Sequence, residues 1–134
     1  MNRKKSREYL LQLVYQMGIT GDSAQDVFDM FMEDEEISKN NLDLEYIKTS
    51  LIGIAENKEI IEEKISAQLV NWKINRIAKV NLAILKVAVY EMMHKEDIPA
   101  KVSINEAIEL CKKFSEEKSI SFINGVLDKI YKNL

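Results

Sequence analysis

Residues that favour tight turns are scarce in this chain. Only four glycines and one proline occur among its 134 residues, whereas leucine, isoleucine, lysine, glutamate and alanine are abundant. Strand-rich folds need many turns, which rely on glycine and proline, so this mixture favours helices joined by short connections. The chain has the length of one domain, and 46% of its residues are hydrophobic, which is enough to bury a core.

Apolar residues recur at helical spacing along the chain and predict about seven helices. The first runs from about Arg3 to Met17, with Gly18 as its expected end, and the last from about Ser121 to Tyr131. The fifth, from about Ala78 to His94, has little polar face, so we expect it to be central and buried on most sides. The prediction is an all-α fold.

The predicted helices fall into two small packed bundles that together form one domain. Short connections favour antiparallel neighbours. We expect an N-terminal bundle of about residues 1–70 and a C-terminal bundle of about residues 71–134, with the division near Trp72.

Three sequence patterns predict where helices begin. Asp22, with Gln25 three residues on, is expected to cap the second helix, and Asp43 is expected to cap the third. Ser103 and Glu106 have the spacing of a capping box and predict the start of the sixth helix.

Charge is distributed unevenly, although the net charge is only -3. Residues 22–36 are acidic and contain no lysine or arginine, which makes the molecule polarised. Basic side chains supply most of the affinity for phosphate backbones, and a basic start also serves solubility in many proteins, so both interpretations stay open on composition. The basic residues that open the chain are Arg3, Lys4, Lys5 and Arg7.

Little in the sequence indicates catalysis. His94 and Cys111 are the only histidine and the only cysteine, which leaves no disulfide and no zinc site of familiar spacing. Cys111 falls on the apolar stripe of its helix, where an inert core thiol is expected. We predict no catalytic residue, no metal and no cofactor. No uninterrupted apolar stretch resembles a signal peptide or a membrane span, so we expect a cytoplasmic protein.

Asn105, Asn124 and Gly125 stand out within otherwise apolar helices. A glycine inside a helix costs about 1 kcal/mol relative to alanine. We therefore expect Gly125 to permit a close helix approach, and all three residues to serve packing.

Long segments of the sequence resemble the NusB family. Residues 97–114 read D-I-P-A-K-V-S-I-N-E-A-I-E-L-C-K-K-F, and residues 121–127 read S-F-I-N-G-V-L. Residues 82–91 are similar to a second family segment, and Trp72 matches a tryptophan common near the middle of family members. The opening of the chain is similar through Arg7, Glu8, Gln12 and Tyr15.

The resemblance implies a two-bundle helical adaptor that promotes transcription antitermination, notably in ribosomal RNA operons. Family members pair with a small-subunit ribosomal protein, NusE, bind single-stranded boxA RNA and join the antitermination complex of RNA polymerase. By resemblance, Tyr15 and Asn81 are expected to contact the ribosomal protein. The expected RNA contacts are Arg3, Lys4, Lys5, Arg7, Lys118 and Ser121.

Two departures from the family pattern bear on affinity. Many members have an acidic residue where this chain has Asn81, which weakens a charge contact to the ribosomal protein. An acidic residue often stands at the position of Lys118, and a positive charge there raises RNA affinity if its loop lies near the RNA.

Other interpretations remain open at this point. A helical protein-interaction module without an RNA role would share the same pattern. An accessory domain of an RNA methyltransferase ranks lower, because the chain holds no glycine-rich cofactor loop, and an enzyme using Cys111 ranks last. Whether the protein forms a homodimer is also open.

Overall fold

The computed structural model describes residues 1–70 and 73–134, and these residues contain seven α-helices. Those residues form no strand, only an isolated bridge between Asn2 and Leu42, so the all-helical prediction is confirmed. Short 3-10 helices lie at Ile74–Arg76 and Glu117–Ser119. The α-helices are α1 (Arg3–Thr20), α2 (Ala24–Glu33), α3 (Leu44–Glu56), α4 (Lys58–Ser66), α5 (Lys79–His94), α6 (Ala100–Phe114) and α7 (Ile120–Lys132).

Helix α5 is the centre of the fold, as its apolar sequence predicts. It packs against α1, α3 and α4, which precede it in the chain, and against α6 and α7, which follow it. Its buried apolar side chains include Ile84, Leu85 and Val89, which have no exposed surface. A division into two bundles near Trp72 stays a prediction, because Trp72 lies outside the described residues.

The end of α1 and the start of α2 each differ from the prediction by a few residues. Gly18 does not end α1; the helix continues to Thr20 and ends at Gly21, whose φ of 76° is the left-handed conformation that glycine adopts freely. Asp22 does not cap α2. Ser23 does, because its backbone is extended and its hydroxyl accepts from the Asp26 N–H at 3.1 Å.

The predicted capping box at the start of α6 is also wrong. Helix α6 begins at Ala100, directly after Pro99, whose missing N–H costs nothing at a helix start. Ser103 and Glu106 therefore lie inside the helix. The predicted cap of α3 is confirmed, since Asp43 Oδ1 accepts from the Tyr46 N–H at 3.1 Å.

The glycine that permits a close approach is Gly53 in α3. A Cβ built there would collide with the side chain of Tyr90 in α5, whereas one built on Gly125 would meet no atom within 4 Å. Asn105 and Asn124 are exposed. The prediction that Asn105, Asn124 and Gly125 serve packing is therefore wrong, because both asparagines lie at the surface and the space beside Gly125 is open.

No helix among residues 1–70 and 73–134 is long and apolar enough to cross a membrane.

Candidate nucleic-acid interface

The first turn of α1 is anchored to the loop that precedes α3. Asn2 Oδ1 accepts from the Lys5 N–H at 2.9 Å, which caps the helix. The Asn2 N–H donates to the carbonyl of Asn41 at 2.7 Å. Ser6 Oγ donates to the Asn2 carbonyl at 2.7 Å and accepts from the Asp43 N–H at 2.8 Å. The basic residues of this turn are thus presented from a fixed backbone.

Arg3 is only partly available to a ligand. Its guanidinium pairs with Asp43 at 2.9 Å and lies over the ring of Tyr46, 4.3 Å from the centroid. Burial raises the pKa of the Asp43 carboxyl, but the Tyr46 N–H and the Arg3 charge outweigh this, so the pKa lies below its usual value. The Arg3 side chain keeps 39% of its surface exposed.

Lys4 and Lys5 are exposed, and a third lysine joins them from α6. Glu8 Oε1 lies 2.8 Å from Lys113 Nζ and 3.5 Å from Lys5 Nζ, so one carboxylate oxygen holds both ammonium groups. Burial raises the pKa of Glu8, but the hydrogen bond and charge of Lys113, together with Lys5, bring that pKa below its ordinary value. Lys4, Lys5 and Lys113 form what we call the lysine patch.

Sequence reasoning missed Lys113. The residue is separated from Glu8 by 105 positions, and nothing in the local pattern distinguishes it from the adjacent Lys112. Only the packing of α6 near α1 brings Lys113 beside Lys5. Helical periodicity could place Lys113 near the end of a helix, but could not give it a neighbour.

Arg7 does not belong to this surface, because it is buried. Its Nε and Nη2 donate to the two carboxylate oxygens of Glu91 at 2.9 and 3.1 Å, and its Nη1 lies 3.5 Å from Glu106. Tyr46 and Ser103 also donate to Glu91 through their hydroxyls. Burial lowers the pKa of Arg7, and the bond and charge of Glu91 outweigh it, so that pKa is raised.

The prediction that Arg7 contacts RNA therefore conflicts with its place in the structure. Arg3 and Arg7 do share a face of α1, as their spacing predicts. That face turns toward Tyr46, and only 4% of Arg7 is exposed. We leave Arg7 out of the RNA-contacting set.

The segment before α7 presents the other predicted basic contact. The Lys118 side chain is 81% exposed and pairs with Glu116 at 3.5 Å, an exposed pair of little strength. Ser121, at the start of α7, is exposed as well. Lys118 and Ser121 are therefore accessible to a ligand, and their contact with RNA stays a prediction.

The two residues predicted to contact a protein partner lie in different surroundings. Tyr15 is 42% exposed and lines a cavity of about 400 Å³, which also includes Lys79 and Leu82 of α5. Asn81 is only 7% exposed. It faces the segment before α7, where Asn81 Nδ2 donates to Ser119 Oγ at 3.1 Å and Ser115 Oγ donates to Asn81 Oδ1 at 2.6 Å.

The lone cysteine and histidine have separate surroundings. Cys111 has no exposed surface, and burial raises the pKa of its thiol. Its Sγ lies 3.6 Å from the carbonyl oxygen of Glu116. His94 is exposed and its ring stacks near Tyr90, with centroids 4.9 Å apart. Within the described ranges, no three histidine, cysteine or carboxylate residues form a group that could hold a metal.

Comparison with known proteins gives the family. The model of the NusB family matches residues 4–132. Transcription antitermination protein NusB of Clostridium perfringens (strain SM101) is 65% identical over 100% of this chain and 99% of its own length. The same protein of Clostridium botulinum (strain Alaska E43) is 52% identical over 98% of this chain and 99% of its own. The chain therefore belongs to the NusB family of transcription antitermination factors.

Solved structures agree with this assignment. NusB of T. maritima superposes with a TM-score of 0.85 at 34% identity, covering 98% of this chain and 92% of its own. A crystal structure of antitermination factors NusB and NusE in complex with dsRNA matches with a TM-score of 0.86 at 25% identity, covering 98% and 96%. The family resemblance drawn from the sequence is confirmed.

Proposed function

We propose that this protein binds boxA-type single-stranded RNA together with the ribosomal protein NusE, and that the complex promotes read-through by RNA polymerase. The observation that carries the proposal is the lysine patch, in which exposed lysines from the start of α1 and the end of α6 meet around Glu8. A structurally similar NusB is bound to NusE and dsRNA, which supports NusE as a partner and RNA as the class of ligand.

The patch is suited to a phosphate backbone. Lysine ammonium groups neutralise phosphates as point charges, and the release of counterions from the RNA drives binding. Glu8 holds Lys5 and Lys113 within a few ångströms of one oxygen, so that their positions are set before RNA arrives. A pre-ordered site loses less conformational entropy on binding than a flexible one.

Sequence preference needs contacts to bases as well as to phosphates. Single-stranded RNA exposes its bases for stacking and hydrogen bonding. The exposed Ser121 hydroxyl and the partly exposed Arg3 guanidinium are the groups that we propose for such contacts, with Lys118 adding charge beside Ser121.

For the NusE surface we propose the region around Tyr15. This tyrosine is half-exposed, and aromatic side chains are enriched in interface cores. The adjoining cavity of about 400 Å³ gives a partner side chain room to enter between α1 and α5. Exposed Ile19, one turn beyond Tyr15 on α1, extends the apolar area.

We propose further that the protein acts by binding in the cytoplasm and catalyses no reaction. Burial of Cys111 and the raised pKa of its thiol disfavour the thiolate that nucleophilic catalysis needs. Association with the RNA polymerase antitermination complex follows from the family function. A homodimer in the absence of RNA is a further proposal, which sedimentation of the free protein tests.

The direct test is binding of a labelled boxA-type RNA, with and without NusE, against a scrambled RNA and a duplex of the same length. We expect preference for the boxA strand, strengthened by NusE. The variant Tyr15→Ala should weaken NusE binding and leave RNA binding by the free protein unchanged. Absence of any RNA binding, even with NusE present, would favour a protein-interaction module without an RNA role.

A further inference from the structure

Asn81 connects helix α5 to both ends of one short segment. The segment is residues 115–119, between α6 and α7, and we call it the 115–119 loop. At one end Ser115 Oγ donates to Asn81 Oδ1 at 2.6 Å; at the other, Asn81 Nδ2 donates to Ser119 Oγ at 3.1 Å. The carboxamide of Asn81 thus accepts a hydrogen bond from one end of the loop and donates a hydrogen bond to the other end.

Backbone hydrogen bonds also constrain the loop. The Ser115 N–H donates to the Cys111 carbonyl at 2.9 Å, which is the bond that ends α6. The Ser119 N–H donates to the Glu116 carbonyl at 2.9 Å, which closes a turn inside the loop. The Asn81 side chain fixes the loop to the central helix, because it belongs to α5 and is itself 7% exposed.

The loop carries Lys118, whose side chain points to solvent. Lys118 is 81% exposed, and its pairing with Glu116 at 3.5 Å is too exposed to hold it in place. The position of this ammonium group therefore depends on the backbone that bears it. Ser121, in the first turn of α7, lies two residues after the end of the loop.

We propose that Asn81 is a positioning residue for RNA binding, which acts through Ser115 and Ser119 to set the place of Lys118. This inference rests on the proposed RNA-binding function. It replaces the expectation that Asn81 contacts the ribosomal protein, since its polar atoms are occupied within the chain. A loop ordered before binding presents its charge at a smaller entropic cost.

The test is a double-mutant cycle on RNA affinity with the full chain and NusE present. Asn81→Ala should weaken binding of boxA-type RNA by about three- to tenfold, which lies within the span of interaction energies for residues that share one hydrogen-bond network. In a Lys118→Ala background the same substitution should cause almost no further loss. Asn75→Ala, at an exposed asparagine outside the loop, is the matched control and should have no effect.

Separate variants keep the test informative if Asn81→Ala folds poorly. Ser119→Ala removes one bond and should weaken RNA binding, whereas Ser119→Thr keeps the hydroxyl and should retain it. Affinity for NusE should not change in any of these variants. Wild-type protein that binds no RNA would refute the proposed function itself. Two results would overturn the positioning role while wild-type protein still binds RNA. In the first, Asn81→Ala lowers RNA affinity as much in the Lys118→Ala background as in wild type. In the second, Asn81→Ala weakens NusE binding and leaves RNA affinity unchanged.

Discussion

Replacing Arg7 with methionine should destabilise the protein strongly while leaving the lysine patch intact. The Arg7 side chain is 5% exposed and that of Glu91 is 1% exposed, so the substitution leaves a buried carboxylate without its counter-ion. Removing one partner of a buried ion pair costs about 3–5 kcal/mol. The Tyr46 and Ser103 hydroxyls still donate to Glu91, so we expect a value near the lower end, about 3 kcal/mol.

Urea unfolding measures this loss as a shift of the midpoint at constant slope. A loss of this size is a large share of a total stability of about 5–15 kcal/mol. Lys4→Met is the matched control, because Lys4 is exposed on the same helix, and should change stability by less than about 0.5 kcal/mol. The pair Arg7→Met with Glu91→Leu removes both charges but leaves the Tyr46 and Ser103 hydroxyls without their acceptor, so it should recover only part of the loss.

The reasoning about Arg7 is refuted if Arg7→Met unfolds within about 1 kcal/mol of wild type. RNA binding separates the two roles that have been considered for this residue. Below its unfolding transition, Arg7→Met should bind RNA as wild type does. Weakened RNA binding in a fully stable Arg7→Met protein would return Arg7 to the set of RNA contacts.

Further substitutions test the packing and the charges. Gly53→Ala should lower stability by about 1–3 kcal/mol, because its Cβ collides with Tyr90. Gly125→Ala should raise stability by about 0.5–1 kcal/mol, because alanine favours the helix and the space is open; thermal unfolding checks both, and equal shifts would contradict the assignment. The pKa of Glu8 is lowered by folding, so its contribution is present above the unfolded pKa and is lost as pH falls through the folded pKa. Glu8→Gln should therefore be less stable than wild type near neutral pH, with a gap in urea midpoint that closes as pH falls through the folded pKa of Glu8; a constant gap would show that the charge is not responsible.

The helices could be predicted from sequence because their apolar residues repeat at the helical period. The ends were harder, since several residues compete to cap or stop a helix. Gly18 and Gly21 both follow apolar turns, and only the positive φ of Gly21 distinguishes them. Helix α6 begins after Pro99 and not at the capping pattern of Ser103 and Glu106. The Ser103 hydroxyl donates to Glu91 in α5, and the Glu106 carboxylate pairs with Arg7 in α1.

The candidate site was predictable only in part, because sequence analysis assumes that charged side chains lie at the surface. Lys4, Lys5 and Lys118 obey that assumption. Arg7 does not, since Glu91 lies 84 positions away and compensates its charge inside the core. Asn81 was likewise assigned to a surface, although its partners in the 115–119 loop lie more than 30 positions later. Long-range pairs of this kind carry no local signal.

The central claim is that the lysine patch binds RNA phosphates, and the salt dependence of RNA affinity tests it most directly. Each neutralised phosphate on single-stranded RNA contributes about -0.7 to the slope of log affinity against log salt. Removing two charges with Lys4→Ala and Lys5→Ala together should make the slope shallower by about 1.4. The urea midpoint should change little, because Lys113 still pairs with Glu8. Lys48→Ala, at an exposed lysine on α3, should leave the slope as it is. An unchanged slope in the double variant, with RNA binding intact, would contradict the account.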